Sequence, residues 1–299
     1  MSLIVESATK KFGDFTAVDE LSLTIEEGQM HGFLGANGAG KTTTFRMILG
    51  LLDPTNGSIR WNGKPITYAT SPEIGYLPEE RGLYPKMKVE EQLIYLAQLR
   101  GMKAANAKQE ARKWLARFQV PHYASKKVEE LSKGNQQKIQ LIASLLHQPS
   151  LLILDEPFSG LDPVNVGMLK EAILDFQKQG ATIVFSSHRM DHVEELCDDM
   201  TILDHGKVVI GGSIRAVKRS FGEQNVRVKT DSDLSLVQKL PGVVTFTKTH
   251  DGAVFRITEE STAQLILTES QKLGPIRYFS IEEPSLEEIF IAKVGKKYE

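Results

Sequence analysis

The sequence has 299 residues, of which 41% are hydrophobic and 25% charged, and its 36 Lys and Arg against 38 Asp and Glu give a net charge of -2. This near-balance excludes the overall basic charge of many nucleic-acid-binding proteins, so we expect no nucleic-acid partner. The length favours one large domain and one smaller domain, and the single cysteine, Cys197, excludes an internal disulfide.

The sequence contains no apolar run of the roughly 18–20 residues that a membrane span requires. Its first residues, Met1 to Glu6, have no basic stretch followed by a long apolar one, so we expect no signal peptide. If this protein works at a membrane, another chain must therefore cross the bilayer.

The first sixty residues alternate between strand patterns and turns. Gln29–Leu34 is typical of a buried strand that runs directly into a glycine-rich segment, and Thr43–Leu51 continues at helical spacing. Further strands are predicted at Leu3–Ser7, Leu21–Ile25 and Ser58–Trp61, the last closed by a hairpin-type turn at Asn62 and Gly63.

The middle of the chain is helical at first and then alternates helices with short apolar strands. Helices are predicted from Val89 to about Val120, at Gln136–His147 and at Asn165–Gln179, and strands at Leu151–Leu154 and Ala181–Ser186. Strands that alternate with crossover helices predict an α/β core, and residues of about 85–148 predict an inserted helical lobe.

The last part of the chain has a different pattern. Strands are predicted at Asn225–Lys229, Val243–Thr249, Ala253–Thr258 and Ile276–Ile281, with helices at Leu234–Leu240, Thr262–Leu273 and Ser285–Val294. The order β-α-β-β-α-β favours a small ferredoxin-like α+β domain. We therefore predict domains at 1–218 and 222–299.

The glycine-rich segment Gly35 to Thr42 has the spacing Gly-x-x-x-x-Gly-Lys-Thr of a phosphate-binding P-loop. Its glycines let backbone N–H groups turn inward onto phosphate oxygens, while Lys41 would bridge the β- and γ-phosphates and Thr42 would hold Mg²⁺. The alternative is an ordinary glycine-rich turn. The strand before the segment and the helix after it favour a nucleotide site, which we expect to bind ATP with Mg²⁺.

A second candidate element is the apolar strand at 151–154, which is followed by Asp155, Glu156 and Pro157. Asp155 lies at the carboxyl end of the predicted strand, where open α/β sheets bind ligands, and an acid there can hold Mg²⁺ through a water. Glu156 would polarise the attacking water. The alternative is a strand that ends in an acidic turn.

The residues between these two elements give the family resemblance. Leu131–Lys138 resembles the Leu-Ser-Gly-Gly-Gln signature of ABC-type ATPases, with Ser132 and Gly134 matching and with Lys133 and Asn135 departing from it. Ser132 can also cap an ordinary helix. The resemblance, which covers residues 1 to about 218, implies that Ser132, Gly134 and Asn135 contact the γ-phosphate bound to an opposite subunit.

Other segments resemble the family's motifs in the family's order. The resemblance implies that Ser159–Asp162 lines a dimer interface, that His188 contacts the γ-phosphate, that Phe12 stacks on adenine, and that Val18 packs beside the base. The alternative for Phe12 is a core residue, and the alternative for His188 is a structural or surface residue. Nucleotide contacts are implied at Asn37, Gly38, Ala39, Gly40, Lys41, Thr42 and Thr43.

One motif departs from the family in its charge. Tyr76–Glu79 resembles the Q-loop, but Glu79 occupies the position where the family has glutamine. Either side chain offers an oxygen to Mg²⁺ or to the lytic water, and glutamate adds a negative charge that the metal and Lys41 would offset. We expect Glu79 to contact the metal and to take part in hydrolysis.

The segment Glu283–Phe290 resembles the ending of ATP-binding subunits of ABC-2-type exporters, among them drug-resistance and sodium-efflux ATPases. This resemblance implies an exporter ATPase on the cytoplasmic face of the cell membrane, peripheral to it. Its partners would be integral membrane permease subunits and a second ATPase subunit, identical or homologous, in a head-to-tail dimer. The cargo is not readable from this chain.

Three other roles compete with this interpretation. A ribosome-acting ABC protein would carry two ATPase domains in one chain, and a DNA-maintenance ABC ATPase would carry long coiled coils, which the sequence lacks. A soluble ABC ATPase with a regulatory, non-transport role remains the alternative.

Overall fold

The computed structural model describes residues 2–80 and 82–295. The chain separates into two compact units, Met1–Gly211 and Gly212–Glu299. Within the described residues, none of the helices combines the length and the hydrophobicity that a membrane crossing needs.

The first unit opens with a four-stranded antiparallel sheet in the order β2-β1-β4-β5. Its strands are β1 (Ser2–Phe12), β2 (Phe15–Glu26), β4 (Asn56–Trp61) and β5 (Lys64–Pro65). Strand β1 continues five residues beyond the predicted end at Ser7, where φ is 45° and the register with β2 shifts. The irregularity interrupts the two-residue alternation, so the sequence pattern ends before the strand does.

The second sheet of this unit has six strands in the order β10-β9-β3-β8-β7-β6. They are β3 (Met30–Leu34), β6 (Ile74–Leu77), β7 (Leu151–Asp155), β8 (Thr182–Ser187), β9 (Asp199–Asp204) and β10 (Lys207–Ser213). Strands β6, β7, β8, β3 and β9 pair in parallel, so their carboxyl ends meet at one edge. The predicted α/β core with buried strands is confirmed.

In the described residues of the first unit the α-helices are α1 (Lys41–Ile48), α2 (Val89–Leu99), α3 (Ala104–Arg117), α4 (Lys133–Leu145), α5 (Pro163–Lys178) and α6 (Met190–Leu196). The helical stretch predicted from Val89 to Val120 is two helices, because the chain turns between them at Gly101, where φ is 89°. Helix α4 begins three residues before the predicted start, and Ser132 caps it by accepting a hydrogen bond from the Asn135 N–H at 3.4 Å.

The second unit is built on an antiparallel sheet in the order β12-β13-β11-β14. Its elements are α7 (Ile214–Phe221), β11 (Gln224–Lys229), β12 (Val243–Thr249), β13 (Gly252–Ile257), α8 (Glu260–Leu273), β14 (Tyr278–Glu282) and α9 (Leu286–Val294). The predicted small α+β domain is confirmed, with a strand order typical of a ferredoxin-like sheet.

The helix predicted at Leu234–Leu240 is wrong, because this segment contains only a single 3-10 turn at Val237–Lys239. Two local features oppose a longer helix. The Asp233 carboxylate accepts a hydrogen bond from the Ser235 N–H at 3.1 Å, which competes with helical bonding. Leu240 precedes Pro241 and has extended backbone, with ψ at 142°.

Candidate functional site

The loop between β3 and α1 forms a tight backbone cradle. Gly35, Gly38 and Gly40 have φ values of 149°, 83° and 106°. A Cβ at Gly35 would lie 2.4 Å from the Leu203 carbonyl oxygen, and a Cβ at Gly40 would lie 2.6 Å from that of Ala17. Glycine is therefore required at both positions by conformation and by space, as expected of a loop that turns its N–H groups towards an anion.

Lys41, the first residue of α1, is buried and points back into this loop. Its Nζ donates hydrogen bonds to the carbonyl oxygens of Gly35 at 2.6 Å and Ala36 at 3.2 Å. Desolvation lowers the pKa of Lys41, whereas the nearby Glu156, Asp155 and Glu79 carboxylates raise it. The ammonium is thus held at the mouth of the cradle, where phosphate oxygens would meet it.

Asp155 lies at the carboxyl end of β7 and is only 1% exposed. One carboxylate oxygen accepts a hydrogen bond from the Thr42 hydroxyl at 3.1 Å, and the other accepts one from the Ser186 hydroxyl at 2.6 Å. Ser186 lies opposite Asp155 on the parallel strand β8. Sequence reasoning missed Ser186, although a serine pair that ends an otherwise apolar strand was an available signal.

Glu156 follows Asp155 in a left-handed backbone conformation, with φ at 49°. Its N–H donates to the Ser186 hydroxyl at 3.0 Å, and its carboxylate lies 2.9 Å from His188 Nδ1. Burial raises the pKa of Glu156, and so does the Glu79 carboxylate, while His188 and Lys41 lower it. A basic carboxylate is thereby kept beside a histidine and a lysine.

A cavity of about 360 Å³ brings these groups together. Among the predicted site residues, it is lined by Asn37, Gly38, Ala39, Gly40, Lys41, Thr42, Thr43, Glu79, Asp155 and Glu156. His188 reaches it through its contact with Glu156. Phe15, Ala17 and Ala36 also line the cavity and were not predicted.

Phe12 and Val18, the two residues predicted beside the base, are not among the residues that line this cavity. Phe12 ends β1 and is 51% exposed, with the Lys10 ammonium 5.4 Å from its ring centre, and it pairs across the turn with Phe15. Val18 is fully buried in the hydrophobic core beneath the loop. Of these three residues, Phe15 is the one that lines the cavity.

The predicted signature residues are not in this cavity. Ser132, Gly134 and Asn135 lie in the first turn of α4, where the Asn135 side-chain amide donates to Tyr123 Oη at 2.9 Å and to Ser132 Oγ at 3.0 Å. A Cβ at Gly134 would lie 3.4 Å from a Leu161 methyl group, so the 159–162 segment lies beside this turn. Tyr123 was not predicted.

The donor set at the cavity suits a magnesium nucleotide. Thr42, Glu79 and Asp155 offer hydroxyl and carboxylate oxygens, which are the hard ligands that Mg²⁺ prefers. In nucleotide sites Mg²⁺ is bound by only one or two protein side chains, because phosphate oxygens and waters fill its other positions. The backbone cradle and Lys41 suit the phosphates themselves.

Comparison with known families agrees with this geometry. The profile of the ABC transporter family matches residues 18–159, and that of the ATP-binding protein DrrA1-3-like C-terminal domain matches residues 212–294.

Individual relatives match over nearly the whole chain. An uncharacterized ABC transporter ATP-binding protein, YhaQ of Bacillus subtilis, is 58% identical over 99% of this chain and 100% of its own. The linearmycin resistance ATP-binding protein LnrL of the same organism is 30% identical over 98% of both chains. A solved ATP-binding subunit of an ABC transporter superposes with a TM-score of 0.70 at 31% identity, over 74% of this chain and 94% of its own.

Proposed function

This chain belongs to the family of ABC transporter ATP-binding proteins, and from that membership we propose a residue-level mechanism and a place for it in an exporter. Proteins of this family are ATPases, and their ATP-binding domains dimerise and pair with membrane subunits. One observation carries the proposal. The Glu156–His188 pair, Lys41 and the Thr42–Asp155 pair converge on one cavity next to a phosphate cradle.

The residues of the cradle divide the work of binding. The backbone N–H groups from Asn37 to Thr43 and the Lys41 ammonium hold the phosphates of ATP. The base lies against the ring of Phe15, which lines the cavity, with Phe12 paired to Phe15 across the turn and Val18 in the core beneath the loop. Thr42, Asp155 and Glu79 would hold Mg²⁺, which when bound neutralises charge on the phosphates.

Glu156 serves as the general base. Its carboxylate accepts a proton from the attacking water, and the raised pKa of this carboxyl group makes it a stronger acceptor than an exposed glutamate. His188 holds the Glu156 carboxylate in place through its Nδ1. Its imidazole also provides a hydrogen-bond donor near the γ-phosphate. Glu79 lines the same cavity and orients the water or the metal.

A second subunit, identical or homologous, completes each site. In the head-to-tail dimer the first turn of α4, with Ser132, Gly134 and Asn135, faces the γ-phosphate that the opposite subunit binds. ATP then joins the two subunits, and its hydrolysis weakens the contact.

We place the dimer on the cytoplasmic face of the membrane, where it drives separate permease subunits. The full-length similarity to a linearmycin resistance protein and the DrrA-like match at residues 212–294 support an exporter of drug-like cargo. The second unit, Gly212–Glu299, is an accessory domain to the ATPase domain of the first unit. Co-purification of a multi-span membrane protein with this chain from membranes of its own organism supports the assignment, and recovery of the chain without any such protein opposes it.

The replacement Glu156→Gln tests the base directly. Glutamine keeps the shape and cannot accept the proton, so turnover should fall by about 10²-fold or more. ATP affinity should stay within about threefold, since the cradle is unchanged. Steady-state ATPase assays and nucleotide titration measure both, and a trapped ATP-dependent dimer should appear by light scattering.

The exposed Glu171 on α5 supplies a matched control. Glu171→Gln removes the same charge from a residue that does not line the cavity. This variant should hydrolyse ATP at the normal rate. Undiminished turnover in Glu156→Gln would remove Glu156 from the base role.

Lys41→Ala tests the cradle. Removal of a buried ammonium that faces the phosphates should weaken ATP binding by about tenfold or more. Titration with a fluorescent ATP analogue gives the affinity, with the exposed-lysine variant Lys64→Ala as control. Unchanged affinity would contradict the assignment of residues 35–42 to the phosphates.

A further inference from the structure

Helix α4 carries two buried glutamines one helical turn apart, Gln137 and Gln140, each only 4% exposed. The Gln137 side-chain amide donates to the Pro157 carbonyl oxygen at 3.2 Å, directly after Glu156. Helix α4 thus contacts the segment that follows Glu156, the proposed base. Gln140 makes the same kind of contact with the loop that bears Glu79, the other glutamate of the cavity.

Gln140 holds the loop that bears Glu79. Its Nε2 donates two hydrogen bonds, both at 3.1 Å, to the carbonyl oxygens of Pro78 and Glu80. These carbonyls belong to the residues immediately before and after Glu79. The two bonds therefore fix the backbone on both sides of the residue that lines the cavity.

A second contact holds the strand that leads into this loop. His147, two residues beyond the end of α4, places Nε2 3.2 Å from the Ile74 carbonyl oxygen at the start of β6. Residues of the α4 region are consequently bonded both to the start of β6 and to the loop that follows its end. A displacement of α4 would be transmitted to Glu79 through Gln140.

Gln140 is a buried side chain whose amide nitrogen makes both bonds to this loop, at 3.1 Å each. Removal of this donor would leave both carbonyl oxygens without it, so the loop would lose this attachment to α4. Glu80 is exposed, so water can reach this part of the loop.

We infer that Gln140 is a positioning residue for hydrolysis, which fixes the Glu79 loop to the helix whose first turn carries Ser132, Gly134 and Asn135. This inference rests on the proposed function, in which Glu79 faces the ATP of its own subunit and that first turn faces the ATP of the opposite subunit. Gln140 then links the two ATP sites of the dimer within one chain.

The replacement Gln140→Met keeps the volume and removes both donated hydrogen bonds. We expect kcat to fall by about tenfold, because the Glu79 loop is no longer fixed, with KM for ATP within about twofold. In the nucleotide-free protein, amide hydrogen exchange of the peptide that covers Glu79 should become faster, while exchange in the 35–42 loop stays as in wild type.

Gln92 provides a matched control in the same helical lobe. It is fully buried on α2, and neither of its amide atoms has a hydrogen-bond partner in the described part of the chain. Gln92→Met therefore makes the same chemical change without releasing a loop, and it should leave kcat and the exchange of the Glu79 peptide unchanged.

A double-mutant cycle distinguishes positioning of Glu79 from a general structural effect. In a Glu79→Ala background, Gln140→Met should change kcat by less than about twofold, because the side chain that it positions is absent. Equal losses in both backgrounds, an unchanged exchange rate for the Glu79 peptide, or a similar kcat loss in Gln92→Met would each overturn the inference. If Glu79→Ala leaves no measurable turnover, the exchange experiment decides alone.

If Gln140→Met does not fold, Gln140→Asn shortens the amide by one methylene, and a kcat loss with faster exchange of the Glu79 peptide supports the same conclusion. Failure of the proposed function is separable, because it would appear as full turnover in Glu156→Gln, whereas exchange in the nucleotide-free protein does not depend on hydrolysis.

Discussion

At the scale of single residues, the chemistry of the site depends on the charges around Glu156. Burial and the Glu79 carboxylate raise the pKa of this glutamate, and the His188 and Lys41 side chains lower it. A glutamine in place of Glu79 would remove the one charged group among the causes that raise the pKa of Glu156. Besides the contact with metal or water that we propose for it, Glu79 therefore makes the proposed base more basic.

This balance predicts the pH dependence of turnover. In the proposed mechanism hydrolysis requires the ionised Glu156, so kcat/KM should fall as the pH drops through the pKa of that group. Glu79→Gln lowers this pKa and should move the acidic limb to lower pH. His188→Ala removes a lowering influence and should move the limb to higher pH. Both shifts are measured from kcat/KM profiles.

The direction of the two shifts distinguishes this explanation from a simple loss of activity. Glu171→Gln, at an exposed position on α5, should leave the acidic limb in place. If Glu79→Gln and His188→Ala moved the limb in the same direction, the electrostatic account of Glu156 would be contradicted.

At the scale of elements, the packing of α4 against β6 is unusually close at one glycine. A Cβ added to Gly75 on β6 would lie 2.4 Å from the Ser144 carbonyl oxygen and 2.8 Å from atoms of Leu152 and Pro149. Both a helix and a neighbouring strand therefore approach this position. The close approach brings α4 near enough for its side chains to hold the loop after β6.

We predict that Gly75→Ala destabilises the first unit by about 1–3 kcal/mol, because the backbone carbonyl and the packed side chains cannot move aside. Gly167→Ala on α5 is the matched substitution, since nothing lies within 4 Å of its added Cβ. In a helix interior this change should stabilise by about 0.5–1 kcal/mol. Urea denaturation measures both, and a Gly75→Ala variant as stable as wild type would refute the close packing.

At the scale of the whole molecule, each of the two units has hydrophobic core residues of its own among the residues that the structure describes. One core surrounds Phe33, Phe45 and Trp61, and the other surrounds Phe255 in the second unit. His31, which is buried, and His147, which is half-buried, belong to the first unit. Desolvation lowers the pKa of His31 to about 4 and that of His147 to about 4.

These histidines predict acid sensitivity of the first unit. The unfolded chain binds a proton at each histidine near the ordinary pKa of 6.5, whereas the folded chain does so only near 4. Stability is therefore fully present above pH 6.5 and is lost as the pH falls towards 4. Each histidine contributes up to about 3 kcal/mol to the loss.

The His31→Gln variant tests this origin. Glutamine retains a polar group for the Thr201 hydroxyl, which lies 2.9 Å from His31 Nε2, and carries no titrating proton. The urea midpoint should then fall less between pH 6.5 and 4, whereas His250→Gln at an exposed position should behave as wild type. An equal decline in all three proteins would assign the acid sensitivity to other groups.

Local sequence patterns were sufficient for most of the fold. Buried strands such as Leu151–Asp155 were predictable because a short apolar run is favourable only inside a sheet, and the glycine spacing at 35–42 predicted a strand-loop-helix turn. The order of motifs along the chain indicated the family before any contact was known. The helix predicted at Leu234–Leu240 is wrong because Asp233 accepts a hydrogen bond that competes with helical bonding, and because Pro241 follows an extended Leu240. The spacing of its apolar residues did not reveal either effect.

The sequence by itself thus determined the α/β core, the small α+β unit, the phosphate cradle and the acidic pair at 155–156, since each depends on neighbouring residues along the chain. Only the tertiary structure decided that Ser186 bonds Asp155, that Phe15 lines the cavity, and that Gln140 holds the Glu79 loop. The physical reason is distance along the chain. Gln140 and Pro78 are 62 residues apart, and no local pattern specifies which buried amide will meet which carbonyl when the helix packs against the sheet.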